Sequence, residues 1–168
     1  MEKEVQIVSL DRDTVLMALP VIREAAPEMT VERLRAYVEN LTRNGDDSES
    51  PSGILAARSP NGYIRALATY RTTLELRWGR TLVVDNFLVP GPLYNRMCAC
   101  ALLDALDALA AKHHCVAIEA QLPPDDEWAG AMAKSRGYDF EGSKVCKLTG
   151  LGRSSANIAP IQRGDSIQ

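Results

Sequence analysis

The stretch Gly79 to Cys115, GRTLVVDNFLVPGPLYNRMCACALLDALDALAAKHHC, joins a strand to a long helix through a short turn. Thr81 to Val89 is apolar except for Asp85 and Asn86, which suggests a strand buried on both faces and leaves an acid there to be explained. From about Tyr94 onward, Ala99, Leu102, Leu103, Leu106, Leu109 and Ala110 fall on one helical face, with Asp104, Asp107 and Lys112 opposite. A strand running into a helix start aims unpaired backbone N–H groups and a positive dipole end at one point, where phosphates are often held.

On the N-terminal side, Val5 to Leu10 reads as a first strand, and the following DRD offers helix caps. Thr14 to Ala26 reads as a helix that Pro20 must kink or break into two pieces. Thr30 can cap TVERLRAYVENL, whose Val31, Leu34, Tyr37, Val38 and Leu41 share a face. The acidic run NGDDSESPSG, with Asp46 to Ser50 at its centre, reads as a solvated loop. Ile54 to Arg58 and Tyr63 to Arg71 flank the turn SPNG as a hairpin, and Leu74 to Trp78 is expected to carry on extended by its alternation.

On the C-terminal side, Cys115 to Leu122 reads as a core strand closed by Pro123 and Pro124. Asp125 or Asp126 can cap the helix EWAGAMAKSRG, which Gly137 ends. Asp139 to Leu148 reads as a final hairpin. Residues 1–149 are therefore expected to form one domain, and 150–168 a tail that is loose or pinned by Ile158 and Ile161.

The bulk numbers fit a globular chain: 168 residues, 46% hydrophobic and 24% charged. A net charge of -3 argues against nucleic acid as the main partner. The sequence holds no long apolar run or signal-peptide pattern, so a cytoplasmic location without membrane contact is expected. Cys98, Cys100, Cys115 and Cys146 lie in apolar segments without CxxC pairing, which fits buried thiols and no metal site.

The element order resembles that of the GCN5-related N-acetyltransferase superfamily, in particular its small bacterial single-domain members. Ala18 to Leu41 looks like their first helix pair, and TYRTTLELRWGRTLVVDNFLV (Thr69 to Val89) resembles their strand signatures. Ala129, Gly137 and Tyr138 fall where members place an alanine, a glycine and an aromatic residue after the fifth strand. The likeness covers about Val5 to Leu148. It implies an α/β (α+β) fold, a mixed central sheet of about six to seven strands with helices on both faces.

The resemblance also implies acetyl-CoA as co-substrate, a small-molecule or protein amine as acceptor, and a homodimer through edge strands as one state to expect. In the family the fourth strand bulges and parts from the fifth, and the pantetheine arm lies between them. By position, Phe87, Leu88 and Val89 would offer the backbone contacts. The pyrophosphate turn would be Tyr94, Asn95, Arg96, Met97, Cys98 and Ala99, of which only Ala99 matches the usual pattern. Tyr94 stands for a basic or amide residue and Met97 for a glycine. One lost charged hydrogen bond is worth about 1.5–3 kcal/mol, a roughly ten- to hundredfold loss in affinity. Arg96 is positioned to restore a cation.

Attack of an amine on a thioester needs a proton acceptor, and deprotonating a lysine-like amine at neutral pH costs about 4–5 kcal/mol. Asp85 is the leading candidate, with Glu119 and Glu75 behind it; the competing reading of Asp85 is a buried acid bonded to Arg71, Arg80 or backbone. The family's tyrosine acid is replaced by Ala133, leaving water, Tyr94 or Tyr138. Two functions are thus open: an acetyl-CoA-dependent N-acetyltransferase, or a catalytically degenerate relative serving as a binding or regulatory module.

Overall fold

Five strands run side by side in chain order through the computed structural model, which describes residues 4–45, 50–91, 95–122 and 127–139. They are β1 (Gln6–Leu10), β2 (Ser52–Arg58), β3 (Ile64–Glu75), β4 (Gly79–Leu88) and β5 (Ala117–Ala120). The first four are antiparallel neighbours and β5 joins β4 in parallel, so the sheet is mixed as expected. The expected final hairpin, the tail, the proline and aspartate run 123–126, most of the acidic loop, Cys146 and Tyr94 lie outside the described residues.

Helices cover both faces. A 3-10 turn (Val15–Ala18) leads into α1 (Leu19–Ala25) with Pro20 in its first turn, so the proline breaks the segment and starts the second piece, where its missing N–H costs nothing. Asp11 holds the turn before it: its Oδ1 accepts from the Thr14 N–H and hydroxyl, both at 2.8 Å, and these bonds keep its carboxyl below the ordinary range. α2 (Val31–Gly45) is capped by Thr30, whose hydroxyl accepts from the Arg33 N–H at 3.2 Å. Val15, Ala18, Val21, Ile22, Leu34 and Val38 pack on Leu10, Ile54, Ala56, Ile64 and Leu67 of the sheet.

On the opposite face lie α3 (Asn95–Lys112) and α4 (Glu127–Ser135). Leu102, Leu103 and Leu106 are fully buried against Leu55, Ala57, Ala66, Ala68, Leu82 and Val84. Each such leucine contributes about 1.5–3 kcal/mol, and the alanines opposite let the long helix sit close to the sheet. α4 follows α3 in the same direction: Cys100 meets Met132 and Asp104 meets Arg136. Cys98, Cys100 and Cys115 are free thiols.

Both of these helices end in the same six-residue lock. Tyr138 N–H donates to Ala133 C=O and Gly137 N–H to Lys134 C=O, with Gly137 at φ +85°. Cys115 N–H donates to Ala110 C=O and His114 N–H to Ala111 C=O, but here the left-handed position, φ +55°, is held by His114. The cation at this helix end is Arg80, whose Nε donates to the His113 C=O at 2.7 Å; burial first, then Lys112 and Arg80, pushes the His113 imidazole toward its neutral form.

Two expectations are corrected. Leu74 to Trp78 does not stay extended: β3 ends at Glu75, a turn follows, and β4 starts at Gly79 with φ +86°. Alternation is no guarantee of a strand where no neighbour supplies a face to bury against. β5 is also shorter than the expected Cys115 to Leu122, because it is paired with β4 only over the four residues Ala117–Ala120.

Gly53 lies opposite Tyr70, and an added Cβ there would meet the Tyr70 hydroxyl oxygen at 2.9 Å and its ring carbons at 3.1 and 3.3 Å. Gly53→Ala is expected to cost about 1–3 kcal/mol in urea unfolding, with part regained when Tyr70→Phe removes the nearest atom. His114→Gly is expected to gain about 0.5 kcal/mol in the same assay, since only glycine adopts that backbone without strain.

Candidate active site

One extra residue in β4 shapes the site. Tyr70 pairs with Val84 and Thr69 with Asn86, so Asp85 is an unpaired bulge residue. The bulge shifts the strand's alternation: Leu82 and Val84 face α3 before it, and Phe87, 4% exposed, faces α3 after it. Asp85 and Asn86 are thereby turned to the α1–α2 face, which answers why an acid stands in an otherwise buried strand.

Asp85 is not a buried acid. Its side chain is 38% exposed, and its Oδ2 accepts from Arg71 Nε at 3.0 Å, with no partner for Oδ1 among the described residues. Arg71 and Thr69 continue the face of β3 that carries Leu67. Asn86 Nδ2 donates to Thr69 Oγ1 at 2.8 Å and more weakly to the Tyr37 hydroxyl of α2 at 3.5 Å. The polar group over this end of the sheet is therefore Asp85, Arg71, Asn86, Thr69 and Tyr37.

Glu119 reaches the same face. Ile118 and Ala120 pack toward α3, so Glu119 between them points the other way. Its register partner is Val83, itself paired with Arg71, which sets Glu119 two strands from Arg71, roughly 10 Å by backbone. It is exposed, and its side chain makes no hydrogen bond or ion pair among the described residues. Glu75 is the last residue of β3, six residues beyond Thr69 and paired with Gly79, and is not part of this group.

The bulge also ends the pairing of β4 with β5. Thr81 to Val84 are paired with Ala117 to Ala120, and from Asp85 to Leu88 the β5 side of β4 has no strand partner among the described residues. Backbone N–H and C=O groups there are open to an extended, amide-bearing ligand. Phe87 keeps its side chain in the core, so its contribution to such a ligand is main-chain, and Leu88 turns toward the α1–α2 face.

The first turn of α3 shares a buried cluster with Phe87 of β4. Cys98 and Ala99, 1% and 0% exposed, sit in the same cluster as Phe87 and hold the first helical turn against the end of β4. Burial pushes the Cys98 thiol up, and the nearby Arg65 guanidinium opposes it. Arg65 is itself a bulge residue, skipped between the pairs Arg58–Ile64 and Ala57–Ala66. Arg96 and Met97 face solvent on that turn, Met97 at 36% exposure. The first amides of a helix lack intrahelical partners, so Asn95, Arg96, Met97 and Cys98 present N–H groups there. The residues present fit an anion beside an extended arm, with the Met97 side chain narrowing the approach.

Tyr138 is removed from the list of acids. It lies within electrostatic reach of Asp107, ten residues and so roughly 15 Å along α3 from Met97. Burial, then Asp107, pushes its hydroxyl up to about 12, and that oxygen is buried with no hydrogen-bond partner among the described residues. Ala133 is buried at 1% exposure and offers no proton. Tyr37, Thr69 and Arg65 were not singled out by their sequence surroundings; the one available signal was the polar pair Asp85–Asn86 inside an apolar run.

No protein-family profile and no curated protein matches the sequence. Solved structures do match the fold. An aminoglycoside N-acetyltransferase, AAC(6')-Iy, in complex with CoA superposes with a TM-score of 0.71 at 10% identity, over 89% of this chain and 97% of that one. Glucosamine-6-phosphate N-acetyltransferase from Arabidopsis thaliana gives 0.70 at 12% identity, covering 87% and 99%. Ribosomal-protein-alanine N-acetyltransferase from Brucella melitensis biovar Abortus 2308 gives 0.65 at 19%, covering 88% and 100%. With its bulged fourth strand, its parted β4 and β5 and helices on both faces, the chain has the GCN5-related N-acetyltransferase fold.

Proposed function

We propose that this protein is an acetyl-CoA-dependent N-acetyltransferase acting on a primary amine of a small molecule or a protein. The observation that carries the reading is the parting of β4 and β5 at Asp85, which leaves strand backbone open beside a helix start. Structures of this fold include one in complex with CoA. The main chain of Phe87, Leu88 and Val89 would hold the pantetheine arm. The turn from Tyr94 through Asn95, Arg96, Met97, Cys98 and Ala99 would meet the pyrophosphate, with Arg96 as its cation.

Acetyl-CoA brings an activated thioester: the amine nitrogen forms a bond to its carbonyl carbon, the C–S bond breaks, and the thiolate leaves. The acceptor enters on the α1–α2 face, where Asp85 Oδ1 takes the amine proton directly or through water. Arg71 fixes the carboxylate through Oδ2, which orients it at small entropic cost. Asn86 and Tyr37 add hydrogen-bonding groups that can position the acceptor. Glu119 is the second carboxylate on that face. With Ala133 in place of the tyrosine acid, water returns a proton to the thiolate. That loss is tolerable, because acid–base help is worth roughly 10²–10⁴-fold and orientation of two reactants roughly 10⁵ M or more.

Met97 and Tyr94 favour a second reading, a binding module whose cleft no longer admits CoA. Calorimetric titration separates the two. Acetyl-CoA and CoA are expected to bind, and Met97→Gly to tighten binding about tenfold; no heat at millimolar ligand in both proteins leaves the module as the answer. For the chemistry, Asp85→Asn is expected to lower kcat about a hundredfold while leaving CoA affinity unchanged, and Glu119→Gln to cost less. A larger loss in the Glu119 variant transfers the base to that residue.

A further inference from the structure

We propose that Tyr63 and Arg65, at the start of β3, hold the nucleotide end of the acyl-CoA, Arg65 on a phosphate group and Tyr63 against the adenine ring. The proposal rests on the acyl-CoA reading and adds to it two residues outside the turn at Tyr94 to Ala99. Their placement follows from register. Arg58 pairs with Ile64 and Ala57 with Ala66, so Arg65 is the extra residue of a bulge in β3. Ile64 packs toward α1 and α2, and Ala66 toward α3. Side chains alternate along a strand, so Arg65, one residue after Ile64, turns to the α3 face beside Ala66, and Tyr63 shares that face. The Arg65 guanidinium accordingly lies 5.6 Å from the Tyr63 ring centre. α3 starts over the same end of the sheet: β4 ends at Leu88, opposite Leu67, and Cys98 of the first helical turn shares a buried cluster with Ala66. The Arg65 charge reaches the Cys98 thiol.

Charge and ring chemistry select the ligand. The N-terminal end of a helix is the positive end of its dipole, where acids are favourable and cations are not. α3 nonetheless opens with no acid in its first turn, with Arg96 on that turn and Arg65 beside it. Positive charge gathered in this way is offset by a bound polyanion, and acyl-CoA carries its diphosphate and ribose phosphate directly beyond the arm that the parted β4 and β5 would receive. The ring adds a second requirement. Tyr63 is 66% exposed, and its main chain is fixed, because its C=O accepts from the Ser59 N–H at 2.9 Å and from the Ser59 hydroxyl at 3.2 Å. An open aromatic ring on a fixed backbone, beside a guanidinium, offers a purine a stacking face. A free phosphate would use the arginines and leave the ring idle.

Calorimetric titration with acetyl-CoA and with phosphopantetheine, which keeps the arm but lacks the adenosine, tests this on the full chain. The wild type is expected to bind acetyl-CoA about tenfold more tightly than phosphopantetheine, or better. Arg65→Gln is expected to weaken acetyl-CoA about tenfold, with Arg65→Lys in between. Tyr63→Ala is expected to weaken it about fivefold or more and to shrink the preference over phosphopantetheine, while Tyr63→Phe stays near the wild type. Both side chains are exposed, so the thermal melt by circular dichroism is expected to be unchanged in every variant. A wild type that takes up acetyl-CoA, with Arg65→Gln and Tyr63→Ala binding it equally well, overturns this inference and leaves the acyl-CoA reading standing. A wild type that takes up no acetyl-CoA overturns both.

Discussion

The extra residue at Asp85 is the constraint on which the site depends. A strand without it would keep period two, and a residue buried on the α3 face at Leu82 and Val84 would be followed by Asn86, not Phe87, on that face. An amide would then press into a cluster of leucines, at a cost of about 1–3 kcal/mol for its lost hydrogen bonds. The bulge removes that conflict by placing Phe87 in the core and the two polar residues outside it. Local twist rises at a bulge, and the pairing of β4 with β5 stops at Val84, immediately before it. One insertion therefore fixes both the acid's exposure and the opening beside it.

The same geometry decides what the Arg71–Asp85 pair contributes. Both side chains are substantially exposed, at 47 and 38%, so the pair adds little to folding stability, about 0–1 kcal/mol. Its effect is on orientation. Arg71 holds one carboxylate oxygen in a single-point contact through Nε, and the other has no partner among the described residues. The pair therefore bears on how the carboxylate is presented more than on how firmly the sheet is held.

Much of the fold was legible because hydrophobic period carried it. α2 and α3 follow their apolar faces, the break at Pro20 follows from the missing N–H, and the turn at Gly137 closes α4. The turn at Leu76 was misread, since Leu74, Leu76 and Trp78 alternate as a strand would while all three remain exposed. The site was legible only in part. Asp85 stood out as a polar residue in an apolar run, but its bulge depends on pairing with β3, a contact between residues distant in sequence. Tyr37 and Thr69 come to Asn86 from other elements, and nothing local to them signals it.

The departures at the start of α3 matter less than a motif count suggests. Cys98, Ala99, Leu102, Leu103 and Leu106 set the inward face of that helix, and Met97, one residue before Cys98, is turned about 100° away from it. Its side chain is unbranched and partly solvated, so a ligand meets a flexible chain and not a packed wall. Moving such a chain aside costs about one to two kcal/mol of rotamer freedom and contact. A glycine at that place would add close backbone approach, yet the amides of the first turn exist whatever residue bears them. Arg96 on the exposed side and Arg65 beside Cys98 bring positive charge to the same turn. Under the proposed function, the balance of these terms would weaken an anion's grip at this turn without abolishing it.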